Sequence, residues 1–107
     1  MIVYGIKSCD TVKKALKALE AAGHAPAFRD VRGAPLAEAE ITRFVAAFGD
    51  GLVNKSSTTW RGLSDDARAA PVADLLALHP TLMKRPVIEE GEKRTLGWKA
   101  DAQAVWI

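Results

Sequence analysis

The chain has 107 residues, 49% of them hydrophobic, so it is long enough to bury a core in one domain without covalent cross-links. Its 15 basic and 13 acidic residues leave a net charge of +2, and the basic residues are spread along the chain. We expect no direct binding to nucleic acid, because such binding needs several phosphate contacts from one face.

Cys9 is the only cysteine, and this count excludes an intrachain disulfide and any intrachain dithiol chemistry. A structural zinc site needs about four clustered ligands, whereas Cys9, His24 and His79 are far apart in the sequence. We therefore expect no metal ion and no bound prosthetic group.

The longest uninterrupted apolar run, Phe44–Phe48, is far shorter than the roughly 20 residues that a membrane-spanning helix needs. The first residues are typical of a strand and lack the apolar core of a signal peptide. We expect a cytoplasmic protein that does not associate with a membrane, in a reducing compartment where a lone thiol stays free.

The first third of the chain predicts a strand–helix–strand unit. Residues 2–6 are β-branched and aromatic and predict a buried strand, which leads into a polar turn. From Thr11 apolar residues recur at helical spacing, and Gly23 is expected to end the helix. Residues 27–31 predict a second strand parallel to the first. The apolar face of the predicted helix comprises Val12, Ala15, Leu16, Leu19 and Ala22.

The middle of the chain, from about residue 36 to residue 80, predicts a helical insertion. One helix is expected from near Pro35 to Gly49. Asn54–Arg61 predicts a loop or a frayed turn, and Ser64–Asp66 has the composition of a helix start. Helical spacing then continues up to Pro80.

The last part of the chain predicts a β-hairpin and a short helix. Val87–Ile88 and Arg94–Gly97 are expected to be strands around a turn at Glu89–Lys93. Residues 101–106 predict a closing helical turn or two. The predicted fold is therefore α/β, in the order β-α-β, helices, β-β, α, within a single domain spanning residues 1–107.

Cys9 lies at the predicted junction between the first strand and the first helix. Unpaired N–H groups and the positive end of the helix dipole stabilise a thiolate there, and the thiolate is the nucleophilic form. Lys7 and nearby helix lysines add positive charge, whereas Asp10 opposes the effect if its carboxylate faces the sulfur. A buried structural cysteine is the common alternative, but the polar neighbours of Cys9 favour a reactive thiol.

Three segments resemble the arsenate reductase (ArsC)/Spx family, particularly its YffB-like members. Tyr4–Ala15 resembles the opening of that family, Leu82–Val87 its Arg-Pro segment, and Gly97–Asp101 its C-terminal signature. Together with the helical middle, the resemblance covers essentially the whole chain. It implies a thioredoxin-like fold with a helical insertion, Cys9 as the nucleophile, Arg85 at its side and Pro86 as a cis-proline.

The chain also departs from the family pattern. Arsenate reductases of this family surround the nucleophile with three arginines, of which this chain keeps only Arg85. Asn54 stands at the first position and Lys99 near the third. An arsenate-like oxyanion needs several fixed donors, whereas a carboxylate of glutathione asks less of Arg85 with Lys7 or Lys99.

The resemblance therefore implies a glutathione-dependent thiol reductase, in which Cys9 forms a mixed disulfide that glutathione or a glutaredoxin resolves. Two alternatives stay open: an arsenate reductase acting with glutathione and glutaredoxin, and an Spx-like regulator that binds RNA polymerase. Spx-type regulators carry a second cysteine where this chain has Val12, which weakens the last alternative. The candidate residues for binding substrate or glutathione are Lys7, Ser8, Thr11, Asn54, Arg85, Pro86 and Lys99.

Overall fold

A computed structural model describes all residues, Met1–Ile107, and its chain divides into two compact units. The sheet unit comprises Met1–Val31 and Arg85–Ile107, and the helical unit comprises Arg32–Lys84. The helical unit is an insertion in the chain, slightly longer than the predicted range of 36–80. None of the helices combines the length and the apolar composition needed to cross a bilayer.

Four strands, β1 (Ile2–Gly5), β2 (Ala27–Asp30), β3 (Val87–Glu90) and β4 (Lys93–Leu96), form one sheet in the order β2-β1-β3-β4. β2 runs parallel to β1, whereas β3 is antiparallel to both β1 and β4. A parallel pair needs a crossover connection, which helix α1 (Asp10–Ala21) supplies, while β3 and β4 are joined by a tight turn. The predicted α/β order is thus confirmed. The last helix of the sheet unit is α6 (Ala100–Trp106).

The core of the sheet unit lies between one face of the sheet and the helices α1 and α6. α1 contributes Val12 and Leu19 because apolar residues three and four apart share one face of a helix. Each such buried side chain stabilises the fold by about 1.5–3 kcal/mol. Trp106 of α6 belongs to the same cluster, and its indole N–H donates to Thr95 Oγ1 at 2.7 Å. This hydrogen bond holds α6 against β4.

The carboxyl end of α1 is closed by Gly23, as predicted. Gly23 has a φ of 93°, in the left-handed region that favours glycine. The N–H groups of Gly23 and His24 donate back to Glu20 and Leu19 carbonyls, both at 3.0 Å, which is a Schellman motif. Ala22, which was expected on the buried stripe, is exposed because α1 has already ended at Ala21.

The opposite face of the sheet carries a buried carboxylate. Glu89 was expected in the hairpin turn, but it lies in β3 and is only 8% exposed. The Tyr4 hydroxyl donates to Glu89 Oε1 at 3.2 Å, and Arg94 Nε donates to Oε2 at 2.6 Å. A buried carboxylate is tolerated when its oxygens are hydrogen-bonded and its charge is paired. Since Glu89 pairs directly with Arg94 across β3 and β4, the network also supports the strand register.

The helical unit contains four α-helices and two short 3₁₀ turns. α2 begins at Glu38, so the prediction of a start near Pro35 was three residues too early. The reason is local, because the Glu40 side chain accepts the Ala37 N–H at 2.7 Å and fixes the helix start there. The bounds are α2 Glu38–Phe48, α3 Thr58–Arg61, α4 Asp65–Arg68 and α5 Val72–Leu78, with 3₁₀ turns at Gly49–Leu52 and Pro80–Leu82.

Two serines cap the short helices of this unit. Ser57 Oγ accepts from the Trp60 N–H and Ser64 Oγ from the Ala67 N–H, both at 3.1 Å. The polar stretch from Asn54 thus contains one helical turn, and the predicted helix start at Ser64 is confirmed.

The buried network yields a prediction about stability. Glu89→Gln keeps the shape of the side chain but removes the charge that accepts from Arg94. We expect it to lower the free energy of unfolding by about 1.5–3 kcal/mol, measured by urea denaturation. Glu92→Gln, at an exposed turn position, is the matched control and should change stability by less than about 0.5 kcal/mol. Equal effects from the two variants would contradict a structural role for the Glu89 charge.

Candidate active site around Cys9

Cys9 is the N-cap residue of α1, with an extended backbone (φ −77°, ψ 120°). Its N–H donates to the Ile6 carbonyl at 3.0 Å, and its own carbonyl accepts the Lys13 N–H at 3.1 Å. The turn after β1 therefore closes directly onto the first turn of the helix. No side chain caps α1 by a hydrogen bond. An N-cap side chain lies beside the first unpaired N–H groups of its helix, and in α1 the Cys9 thiol occupies that place.

Cys9 is neither a core residue nor fully exposed. It is half-buried and packs against the edge of the sheet-unit core, as Trp98 does. The two residues before it, Lys7 and Ser8, and Thr11 after it are exposed. The thiol thus combines a packed side, which holds it in place, with polar neighbours that are open to solvent.

Gly5 determines how closely α1 approaches the sheet. A Cβ atom at this position would lie 2.5 Å from Val12 Cγ2, closer than carbon atoms can pack. Only glycine leaves room for the first turn of α1 against the end of β1. The sequence pattern by itself does not identify Gly5 as a site residue. The available signal was a glycine that ends a buried strand just before a predicted helix.

The Arg85–Pro86 peptide bond is cis, as the family resemblance implies. Tyr4 of β1 pairs with Val87 of β3, so Arg85 and Pro86 come at the carboxyl end of β1, where the turn to Cys9 begins. The Pro86 carbonyl accepts the Gly97 N–H at 2.8 Å, which fixes this segment to the hairpin. Pro86 is buried, whereas Arg85 is half-buried.

The remaining candidate residues lie in different surroundings. Lys99 is the N-cap residue of α6, directly after Trp98, and its side chain is exposed. Asn54 belongs to the helical unit, where its N–H donates to the Leu82 carbonyl at 2.8 Å and its Oδ1 accepts the Ser56 N–H at 3.0 Å. These contacts give Asn54 a role in the conformation of its own loop.

The sheet unit therefore assembles most of the predicted site. The turn after β1, the N-terminus of α1 and the cis Arg85–Pro86 segment come together at the carboxyl end of β1. No group of three or more His, Cys, Asp or Glu side chains is arranged to hold a metal ion.

A four-stranded sheet with this strand order, an N-cap cysteine and a cis-proline strand beside β1 defines a thioredoxin-like protein. Residues 4–105 match the model of the ArsC family. The chain therefore belongs to the ArsC family.

Individual relatives agree with this assignment. An uncharacterized protein of Haemophilus influenzae is 43% identical over 101 residues, which cover 90% of this chain and 89% of that protein. The solved structure of a YffB protein is 32% identical, covers 98% of this chain and 96% of its own, and has a TM-score of 0.86. The solution structure of an arsenate reductase (ArsC) related protein from Brucella melitensis is 34% identical and has a TM-score of 0.76. The match covers 98% of this chain and 92% of that protein's chain.

The contact between Gly5 and Val12 yields a second prediction. Gly5→Ala should destabilise the protein by about 1–3 kcal/mol, because the added methyl group overpacks the junction of β1 and α1. Urea denaturation measures this change. Gly51→Ala is the control, since a Cβ there meets no atom within 4 Å. If Gly5→Ala lowers the free energy of unfolding no more than Gly51→Ala does, the junction of β1 and α1 can relax around the added methyl group.

Proposed function

We propose that the protein is a glutathione-dependent thiol reductase with Cys9 as its nucleophile. The observation that carries the proposal is the position of the only thiol, half-buried at the N-cap of a 12-residue helix whose first turn no side chain caps. Membership of the ArsC family supports a reductase that works through this cysteine.

The reaction requires a thiol from a second molecule. The Cys9 thiolate attacks one sulfur of a substrate disulfide, forms a mixed disulfide with it and releases the other sulfur as a thiolate. A glutathione thiolate then attacks the mixed disulfide. Attack at the substrate sulfur releases the Cys9 thiolate, whereas attack at the Cys9 sulfur releases the substrate thiolate and leaves glutathione on Cys9. A second glutathione completes the cycle, so that two glutathiones are oxidised to their disulfide and the substrate disulfide is reduced to two thiols.

The basic residues that we assign to the Cys9 site suit a ligand that carries carboxylates. Arg85 presents a planar fork that binds a carboxylate with two parallel hydrogen bonds. Lys7 and Lys99 are exposed point charges that add electrostatic attraction without that geometry. Glutathione has two carboxylates, which makes it a suitable co-substrate for this set.

Arsenate reduction is a second candidate, favoured by the 34% identical Brucella melitensis protein that is described as arsenate reductase related. The amide of Asn54 and the ammonium group of Lys99 replace two guanidinium groups, so fewer fixed donors are available for an arsenate oxyanion. An Spx-like role is weaker still. Val12, at the position of the second Spx cysteine, is 1% exposed and packs in the core.

The central prediction concerns adduct formation. Incubation of the native protein with oxidised glutathione should give one adduct per chain by intact mass spectrometry, located at Cys9 and reversed by dithiothreitol. Cys9→Ser should give none. A native protein that forms no adduct while it remains folded would contradict the proposal. Arsenate-dependent turnover with glutathione and glutaredoxin would instead establish the second candidate.

A further prediction separates the charge of Arg85 from its geometry. Arg85→Lys keeps the charge but removes the fork, so kcat/KM for glutathione should fall about tenfold. The rate of alkylation by iodoacetamide, a neutral reagent, should change less than about twofold, because positive charge is retained. Lys84→Gln, at the exposed neighbouring position, should change neither rate. An unchanged kcat/KM in Arg85→Lys would exclude bidentate binding by Arg85.

A further inference from the structure

Three exposed lysines lie on α1 next to the thiol. Cys9, Lys13 and Lys17 are four residues apart, so Lys13 and Lys17 follow Cys9 along one row of the helix surface. The hydrogen bond from the Lys13 N–H to the Cys9 carbonyl places Lys13 one turn above the thiol. Lys14 lies beside this row. We call Lys13, Lys14 and Lys17 the lysine row.

The lysine row lies outside the core contacts of α1. All three side chains are exposed, and none forms an ion pair within the chain. Asp10 and Glu20 of the same helix each lie three residues from a lysine of the row, at spacings that allow side-chain contact, yet neither forms an ion pair with it. The apolar face of α1 packs the core without these lysines, so the row is accessible to a partner outside the chain.

We propose that the lysine row docks an acidic protein whose disulfide is reduced by Cys9. The inference rests on the proposed function and adds the class of its substrate. Lys17 lies eight residues along α1 from Cys9, about 12 Å at the rise of an α-helix. Three exposed positive charges in one row match an acidic protein surface, which can contact all three at once.

Electrostatic attraction of this kind acts mainly on the rate of encounter. Complementary charges raise association rates by tenfold or more at low ionic strength, and salt removes the gain. The chemical step itself is unchanged: the Cys9 thiolate forms a bond to one substrate sulfur, and the other sulfur leaves as a thiolate. Glutathione then supplies the two electrons that restore Cys9.

The test uses two synthetic peptides, each with a cysteine activated as its 2-thiopyridyl disulfide. One carries a run of glutamates after the cysteine and the other a run of glutamines. The second-order rate of thiopyridone release is followed by absorbance with the full-length protein. We expect the glutamate peptide to react about tenfold faster than the glutamine peptide at low salt, with the ratio approaching one at high salt.

The variant K13Q/K14Q/K17Q should bring this ratio to within about twofold of one. Because both peptides meet the same thiol, the ratio cancels any change in the reactivity of Cys9 itself. Glutamine has a helix propensity close to that of lysine, so α1 is preserved. The control K55Q/K84Q/K93Q removes the same charge from exposed lysines on other elements and should keep the ratio.

Three results would overturn the inference. One is an equal decrease, in both triple variants, of the ratio of the glutamate-peptide rate to the glutamine-peptide rate, which would show that the rate depends only on net charge. Another is no loss in either variant. The third is tight binding of a DNA duplex by the native protein that is lost in K13Q/K14Q/K17Q and kept in K55Q/K84Q/K93Q, which would assign the row to nucleic acid. Failure of the proposed function itself is a separate result, because Cys9 would then react with neither peptide.

Discussion

The packing of α1 on the end of β1 is the constraint on which the rest of the site depends. The strand can approach the helix this closely only because Gly5 has no side chain where Val12 sits. This contact fixes the first turn of α1, and Cys9, as N-cap, inherits its position from that turn. The unpaired N–H groups of the first turn are therefore oriented by core packing. A site built in this way needs no side-chain cap, and the place that serine or aspartate normally takes is occupied by the thiol.

The sheet supplies the second part of the site through its register. Pairing of Tyr4 with Val87 brings the cis Arg85–Pro86 segment to the end of β1, and the hydrogen bond from Gly97 holds that segment from the other side. On the face that carries Glu89, opposite charges pair directly across β3 and β4. A shift of one residue would move every side chain to the other face and bury the wrong groups. The buried carboxylate thus helps to hold the strand that carries Pro86.

Much of this arrangement could be predicted from sequence, because periodicity and turn chemistry report on local structure. The crossover helix, its end at Gly23 and the hairpin followed from such signals, and the cis-proline followed from family resemblance. The positions of Glu89 and Gly5 were not predicted, and both depend on contacts with residues of other elements. Glu89 looked like a turn residue because its partner Tyr4 is 85 positions away in the chain. Gly5 looked like an ordinary strand end because the atoms of Val12 that exclude a side chain there come from another element. Long-range packing leaves little trace in a single sequence.

Two kinds of positively charged side chain are proposed to act with the thiol. Arg85 is half-buried and directly precedes the cis-proline, and the proposed function assigns it to a small carboxylate ligand. The lysine row is exposed on the outer face of α1, where flexible side chains act as a field and not as a rigid fork. Under the proposed function, a protein with one thiol meets two partners in turn, a substrate and a source of the second sulfur. In that scheme the guanidinium fork of Arg85 and the diffuse positive field of the lysine row serve different steps, the first in binding a small carboxylate ligand and the second in the encounter with a larger acidic surface.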